Sequence, residues 1–241
     1  MKPLAEQERH SGDERQPGAR LMSTATWPLP GARNTPHVIS VNVGTVREVE
    51  WRGTLVQTAI WKSSVGTAAV TVRGVNLEGD DQADRTVHGG RDKAIYAYAS
   101  EDYDHWRDAE GVAVEPGLFG ENLTVRGLDL RASVVGERWR VGGTLLEVAQ
   151  PRLPCYKLGI RLDDPRFTKR FLEVARLGAY LRIIEEGELR AGDEIRVVSR
   201  PAHGLTLGHM TDVVTGRAET MFAAPELPAH WRRYTSEESG P

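Results

Sequence analysis

The chain has 241 residues, a single cysteine and a formal net charge of −3. One cysteine excludes an intramolecular disulfide, and the near-balance of charge gives no sign of a nucleic-acid or acidic-tail protein. No apolar run approaches the ~20 residues that span a bilayer, and the N-terminus lacks the apolar core of a signal peptide, so we expect a soluble, cytoplasmic protein.

In chain order, residues 1–36 come first, polar, rich in proline and glycine and without a sustained period. Such a segment cannot repay its ordering entropy, and we expect a disordered N-terminal extension, with Met22 as an alternative start. From His37 the sequence changes to short apolar runs broken by glycine turns: HVISVNVG, VREVEW, LVQTAIW, AAVTVRG, ENLTVRG, LLEVAQ, AYLRIIEEG and DEIRVVS. Each is rich in β-branched residues and too short for a typical helix, which predicts a mainly β domain over residues 37–200, built as a barrel or a sandwich. Helices are expected to interrupt it twice. The first lies near SEDYDHWRDAEG, with Ser100 as N-cap and Tyr103 and Trp106 three apart. The second is DDPRFTKRFLEVARLG, with Asp164 capping, Pro165 at the first helical position, Phe167 and Phe171 on one face and Gly178 at the end. In residues 201–241, Met210, Val213, Val214, Met221, Phe222 and Trp231 predict a short helical C-terminal extension packed on the strands.

Three stretches carry chemistry-bearing residues. Pro151 to Lys157 reads PRLPCYK and holds the cysteine. Pro151 should end the strand LLEVAQ because proline cannot donate to a ladder, and Pro154 holds Leu153 extended, which leaves Cys155 on a stiff loop. Arg152 and Lys157 flank it; if both turn towards the sulfur, their field favours the thiolate, the form that attacks electrophiles and binds soft metals. An isolated cysteine also serves as a small buried hydrophobe, and the local residues leave both readings open.

Gly79 to Tyr98 reads GDDQADRTVHGGRDKAIYAY. His88, Gly89 and Gly90, followed by Asp92 and Lys93, form a loop whose glycines let backbone amides approach an anion while Lys93 adds positive charge. As a plain turn, with His88 bonding a loop carbonyl, the same stretch serves no ligand. It does not match the GxxxxGK[ST] phosphate loop. In GLFGENLTVRGL, Gly117 to Leu128, Glu121 and Asn122 stand at the mouth of a strand, with Asn122 either a ligand contact or a turn residue. Asp80, Asp81 and Asp84 lack the tight regular spacing of a hard-cation loop, and the histidines, including His203 and His209, lack zinc spacing.

Together and in this order, DRTVHGGRDKAIYAYASEDYDHW, GLFGENLTVRGL, VGGTLLEVAQPRLPCYKL and GAYLRIIEEGELRAGDEIRVVSRP resemble the MOSC domain family, named for the C-terminal domain of molybdenum cofactor sulfurase. The closest likeness is to its stand-alone bacterial branch, which includes reductases of N-hydroxylated purines such as 6-hydroxylaminopurine. The resemblance covers about residues 38 to 200, with its HGGxDKA, GENLT and PRxPCxK blocks in sequence order. It implies a β-barrel-like domain with a few peripheral helices that binds the molybdenum cofactor (molybdopterin), with Cys155 as the metal ligand or sulfur carrier. His88, Gly89, Gly90, Asp92, Lys93, Asn122, Arg152 and Lys157 are then expected to hold pterin and phosphate.

The implied activity is the reduction of an N-hydroxylated small molecule. The alternative is a carrier that keeps a persulfide on Cys155 for metal-cofactor assembly. No flavin or iron–sulfur motif is visible and one cysteine cannot build a four-thiolate cluster, so electrons are expected from an external reductase. No nucleic-acid or membrane partner is expected. The region after Pro201 is shorter than the branch's usual helical extension, which leaves the contacts of any homodimer open.

Overall fold

Short β-branched runs become strands, and proline and glycine end them. The computed structural model describes residues 35–83 and 89–236. His88, Asp84 and Met22, with nearly all of the expected N-terminal extension, lie outside the described residues. The strands are β1 (His37–Val43), β2 (Arg47–Trp51), β3 (Thr54–Thr58), β4 (Ser63–Ser64), β5 (Val70–Arg73), β6 (Asn76–Leu77), β7 (Ile95–Ala99), β8 (Leu123–Arg126), β9 (Arg138–Val141), β10 (Thr144–Pro151), β11 (Ala179–Glu185), β12 (Gly187–Leu189) and β13 (Ile195–Ser199). The helices are α1 (Ser100–Glu110), α2 (Tyr156–Arg161), α3 (Phe167–Val174) and α4 (Leu207–Val214).

An eight-stranded mixed sheet runs β13, β9, β10, β11, β7, β8, β1, β4, beside a three-stranded sheet of β12, β5 and β6 and the hairpin β2–β3. The mainly β class therefore holds. Within the large sheet only β7 and β8 pair in parallel, and α1 supplies the crossover that a parallel pair requires. The two flanks of the sheet curl towards each other: His37 bridges Glu194, the Val38 amide donates to the Asp193 carbonyl at 2.9 Å, and the Ile195 amide to that of Pro36 at 2.7 Å. These few bonds join the flanks at one point and do not make the continuous ladder of a closed barrel.

Both expected helices form, with different ends. Ser100 is the first residue of α1 rather than its cap, and its hydroxyl donates to Glu101 at 3.1 Å. In α3 the capping position falls to Arg166, whose amide donates to the Asp164 carboxylate at 2.8 Å, and the helix stops at Ala175 in the left-handed region instead of at Gly178. Gly178 has another task. Its φ is +70°, and a Cβ there would run into the Ala97 carbonyl of β7, so the glycine permits the close approach that starts β11. Helix α2 has no signal in the sequence, being a six-residue element directly after a proline-held segment.

The loop that returns from α1 to β8 is pinned from inside. Glu121 is fully buried, and its carboxylate accepts from the Tyr103 hydroxyl at 2.7 Å, the Gly117 amide at 2.6 Å, the Thr124 hydroxyl at 2.8 Å and the Phe119 amide at 3.2 Å. Around it Tyr98, Tyr103, Trp106, Phe119, Phe167 and Phe171 form an aromatic cluster that binds α1 and α3 to β7, with the Trp106 and Phe171 rings stacked at 5.4 Å.

The C-terminal segment is part of the main core and not an appendage to it. Leu205, Leu207, Met210, Met221, Leu227 and Trp231 are buried in the same cluster as the sheet residues Val41, Leu146 and Leu181. Trp231 Nε1 donates to Gln150 Oε1 of β10 at 2.6 Å.

Two stability predictions follow from this packing. Glu121→Ala removes the acceptor that four buried donors share and should lower the unfolding free energy by about 3 kcal/mol or more; an unchanged urea midpoint would mean that the loop is held by other contacts. Trp231→Ala should cost about 3–5 kcal/mol, the usual loss for a buried aromatic, in the same titration. A loss below about 1 kcal/mol would show that the C-terminal segment is dispensable to the core.

Candidate functional site

Three connections converge on one cleft: the segment that leaves β10 towards α2, the residues after β3, and the Asp80–Ala83 loop that follows β6. Tyr96 of β7 and Tyr180 of β11 close it from the sheet side. Its empty space is about 600 Å³, open solvent at the mouth included. Cys155, Arg152, Lys93, Lys157 and Asn122, drawn from all three sequence blocks, line it together.

Pro151 pairs with Ala179 at the end of β10, as the ladder argument predicts. Cys155 then takes an extended conformation at the N-cap position of α2. Its carbonyl accepts from the Leu158 amide at 3.0 Å and the Thr168 hydroxyl at 3.2 Å, so both α2 and α3 fix its backbone while the side chain stays half-buried at the cleft. The expected stiff loop is thus a loop-to-helix junction.

Arg152 is only 6% exposed and lies between the rings of Tyr96 and Phe171, with its guanidinium carbon 5.2 and 5.8 Å from their centres. Its Nη1 has no hydrogen-bond partner, an unusual state for a buried guanidinium nitrogen. Burial works against its charge, but Tyr96, Tyr180 and Cys155 around it act the other way, and its pKa rises. Burial likewise pushes the Tyr180 hydroxyl up, opposed by Arg152. The Tyr96 hydroxyl is spent on the Leu177 carbonyl at 3.0 Å.

Asn122 reaches the cleft with its amide already engaged. Its Oδ1 accepts from the Tyr96 amide at 3.1 Å, and its Nδ2 donates to the Asn42 carbonyl at 3.3 Å and to Asp80 Oδ2 at 2.9 Å. It braces the floor rather than presenting a bare donor. Lys157 stands at the rim and donates to the Gln57 carbonyl at 2.8 Å, which ties α2 to the β2–β3 hairpin. Lys93 closes a 3-10 turn that opens at Gly90, whose φ of +85° and ψ of 179° suit glycine alone.

Gly89 and Gly90 shape this turn without lining the cleft. Asp92 points to a different hollow, where its carboxylate accepts from Arg182 Nε at 2.6 Å beside Glu147. Among the described residues, no group of three histidine, cysteine or acidic side chains is placed to hold a metal.

Sequence reasoning passed over Lys62. It follows the hairpin, lines the cleft, and forms a buried ion pair with Asp80. Asp80 Oδ1 also accepts from the Gly44 amide at 2.9 Å. Burial lowers the Lys62 pKa, against the pull of Asp80, Glu121 and Asp81. The signal was a lysine inside an apolar run, AIWKSSV, which reads as a strand end unless the neighbouring loop is known to supply a carboxylate.

The site thus joins a sulfur, two rim lysines, a caged arginine with an orphan nitrogen, and a buried lysine. This set suits an anionic group with a soft centre.

The chain matches the MOSC domain model over residues 84–196. It is 34% identical over 170 residues to the uncharacterized protein YflK of Bacillus subtilis, covering 70% of this chain and 76% of that protein. A protein named simply Reductase in Gibberella moniliformis is 29% identical over 184 residues, 75% of this chain but 31% of its own length. The crystal structure of YiiM from Geobacillus stearothermophilus shares the fold with a TM-score of 0.67 and 28% identity, over 82% of this chain and 96% of that one. A shared fold, a relative alike over most of both chains, and a family model that spans the PRLPCYK block agree: the chain belongs to the MOSC domain family.

Proposed function

We propose that the protein is a molybdenum-cofactor-dependent reductase of N-hydroxylated small molecules, purines such as 6-hydroxylaminopurine among them, with Cys155 as the protein ligand to the metal. The observation that carries this reading is the meeting of Cys155 and the partnerless Nη1 of buried Arg152 in one cleft. A thiolate is a soft donor suited to molybdenum, and a caged guanidinium that bonds Tyr180 yet keeps Nη1 without a partner leaves a place for an anion. These residues fit the anionic, sulfur-bound cofactor that the family implies.

Bound there, the cofactor would supply two-electron redox chemistry, and the protein would supply position and field. Cys155 would hold the metal, with its backbone fixed by α2 and α3. Arg152 would neutralise negative charge next to it. Lys93 and Lys157 would screen phosphate at the mouth, with Gly89 and Gly90 shaping the approach. Asn122 and Asp92 would act through the framework, the first by bracing the floor and the second by anchoring the 3-10 turn to Arg182. The name of the fungal relative supports reductase chemistry. Electrons would come from a separate reductase, in the cytoplasm.

Protein purified from a host that makes the cofactor should contain molybdenum and pterin near one equivalent and reduce 6-hydroxylaminopurine with an artificial donor. Cys155→Ala should fold, lose the activity and lose most of its metal. Equal molybdenum in both forms would remove Cys155 as ligand, and a reducible added mass of one sulfur on wild type without pterin would favour the persulfide carrier instead. Arg152→Met should keep the fold and weaken cofactor retention at least about 10-fold, the loss of one charge-assisted contact, read by molybdenum remaining after gel filtration; unchanged retention would assign the arginine a packing role.

A further inference from the structure

We propose that Lys62 is the proton donor of the cleft: its ammonium, held by Asp80, protonates the oxygen that departs when the N–O bond of the substrate breaks. The assignment rests on the reductase reading above and names a group that the sequence motifs leave out.

Reduction of an N-hydroxylated amine, R–NH–OH, consumes two electrons and two protons and yields R–NH2 and water. The N–O bond breaks, the nitrogen is reduced, and the oxygen leaves as water only if an acid reaches it. In the proposed step a low-potential one-electron donor supplies both electrons in turn, Lys62 gives its proton to the oxygen, and solvent gives the second proton to the nitrogen. Lys62 is left as a neutral amine and is recharged by water through the open mouth.

Most other donors in the cleft are committed or unsuited. The Tyr96 hydroxyl donates to Leu177 and the Asn122 amide is fully spent, while Lys157, tied to Gln57, stands at the solvent-open rim. A guanidinium does not release its proton in this range, which removes Arg152. Burial pushes Tyr180 up and makes it a poorer acid. Lys93 is half-exposed on its turn.

Lys62 differs from all of these. Its side chain is 8% exposed, it lines the cleft, and among the described residues Asp80 is its one hydrogen-bond partner, so two of its three N–H groups have no acceptor there. An unpaired buried donor is costly unless something binds to it.

The charged groups facing Lys62 are Asp80 and Asp81 from one loop and Glu121 from another, with Lys93, Arg152 and Lys157 across the cleft. Among the described residues, the Cys155 thiol and the Tyr96 and Tyr180 hydroxyls complete the titratable set. Burial outweighs the three acids and makes the ammonium a stronger acid than a surface lysine, which suits proton donation.

The test compares wild type with Lys62→Arg, which keeps a cation beside Asp80 but no usable acid, and with Lys62→Gln, which keeps a hydrogen bond to Asp80 but carries no titratable proton. Both variants should load molybdenum as wild type does and keep KM, while kcat falls about 100-fold or more. The acid must be protonated, so wild-type kcat should fall as pH rises through the Lys62 pKa, and this limb should vanish in the variants. A variant with wild-type kcat and an unchanged basic limb overturns the assignment.

A second reading needs no turnover. In lysine-labelled protein, the NMR signal lost in Lys62→Arg should titrate below the other lysines and shift when the amine product, adenine, is added. A signal that titrates with the surface lysines and ignores adenine overturns the proposal even if the enzyme is active. Wild type that never loads molybdenum fails the reductase reading alone.

Discussion

One side-chain amide sets the geometry on which the cleft depends. Asn122 uses its oxygen and both amide hydrogens at once, joining the start of β8 to β1, to β7 and to the Asp80 loop. An amide has no further hydrogens to give, so each partner is fixed relative to the other two. The backbone repeats the arrangement, with the Asn122 amide donating to Tyr96 at 2.8 Å and its carbonyl accepting from Asn42 at 2.7 Å. Through Asp80 this joint reaches Lys62, and through Tyr96 it reaches Arg152. The neighbouring Glu121 does the same inward, so the GENLT block is architecture first: it holds the parallel pair β7–β8 in register and presents the floor of the cleft.

The two buried cations within this frame are treated differently. Arg152 is surrounded by ring faces and polar tips and keeps its proton, whereas Lys62 is paired with an acid yet its charge is still disfavoured by burial. Both effects depend on low local polarity, where unmatched charge is expensive and an incoming partner is correspondingly favoured. A site that leaves one guanidinium nitrogen and two ammonium hydrogens without acceptors is organised around something that brings acceptors with it. The proposed cofactor and substrate would each bring them, to opposite sides of the same space.

Much of this could be read from the residues. The strand runs, helices α1 and α3 and the turn at Gly90 follow from local pattern, and Pro151 ends β10 where a residue without an amide hydrogen must. The ends of α1 and α3 did not follow: α1 leaves β7 at Ala99 without a side-chain cap, the Ala175 carbonyl at the stop of α3 accepts from distant Arg131, and Gly178, the obvious terminator, is needed where β11 passes β7. Cys155, Arg152, Lys93 and Lys157, named from their sequence blocks, line one cleft. Asn122 came to the cleft in a different capacity, and Asp92 faces elsewhere, because adjacent residues on a short turn point in different directions. Lys62 was illegible in principle, since its meaning comes from Asp80, which is 18 positions away in sequence and meets it only in the fold.

Whether the sulfur of Cys155 holds the metal is the question on which the functional reading turns. X-ray absorption at the molybdenum edge, on wild type and Cys155→Ser loaded in the same host, addresses it directly. The reading predicts one fewer sulfur neighbour around the metal in the variant, with the pterin sulfurs retained. Identical spectra from the two proteins would contradict it, because molybdenum would then sit in the cleft without the cysteine.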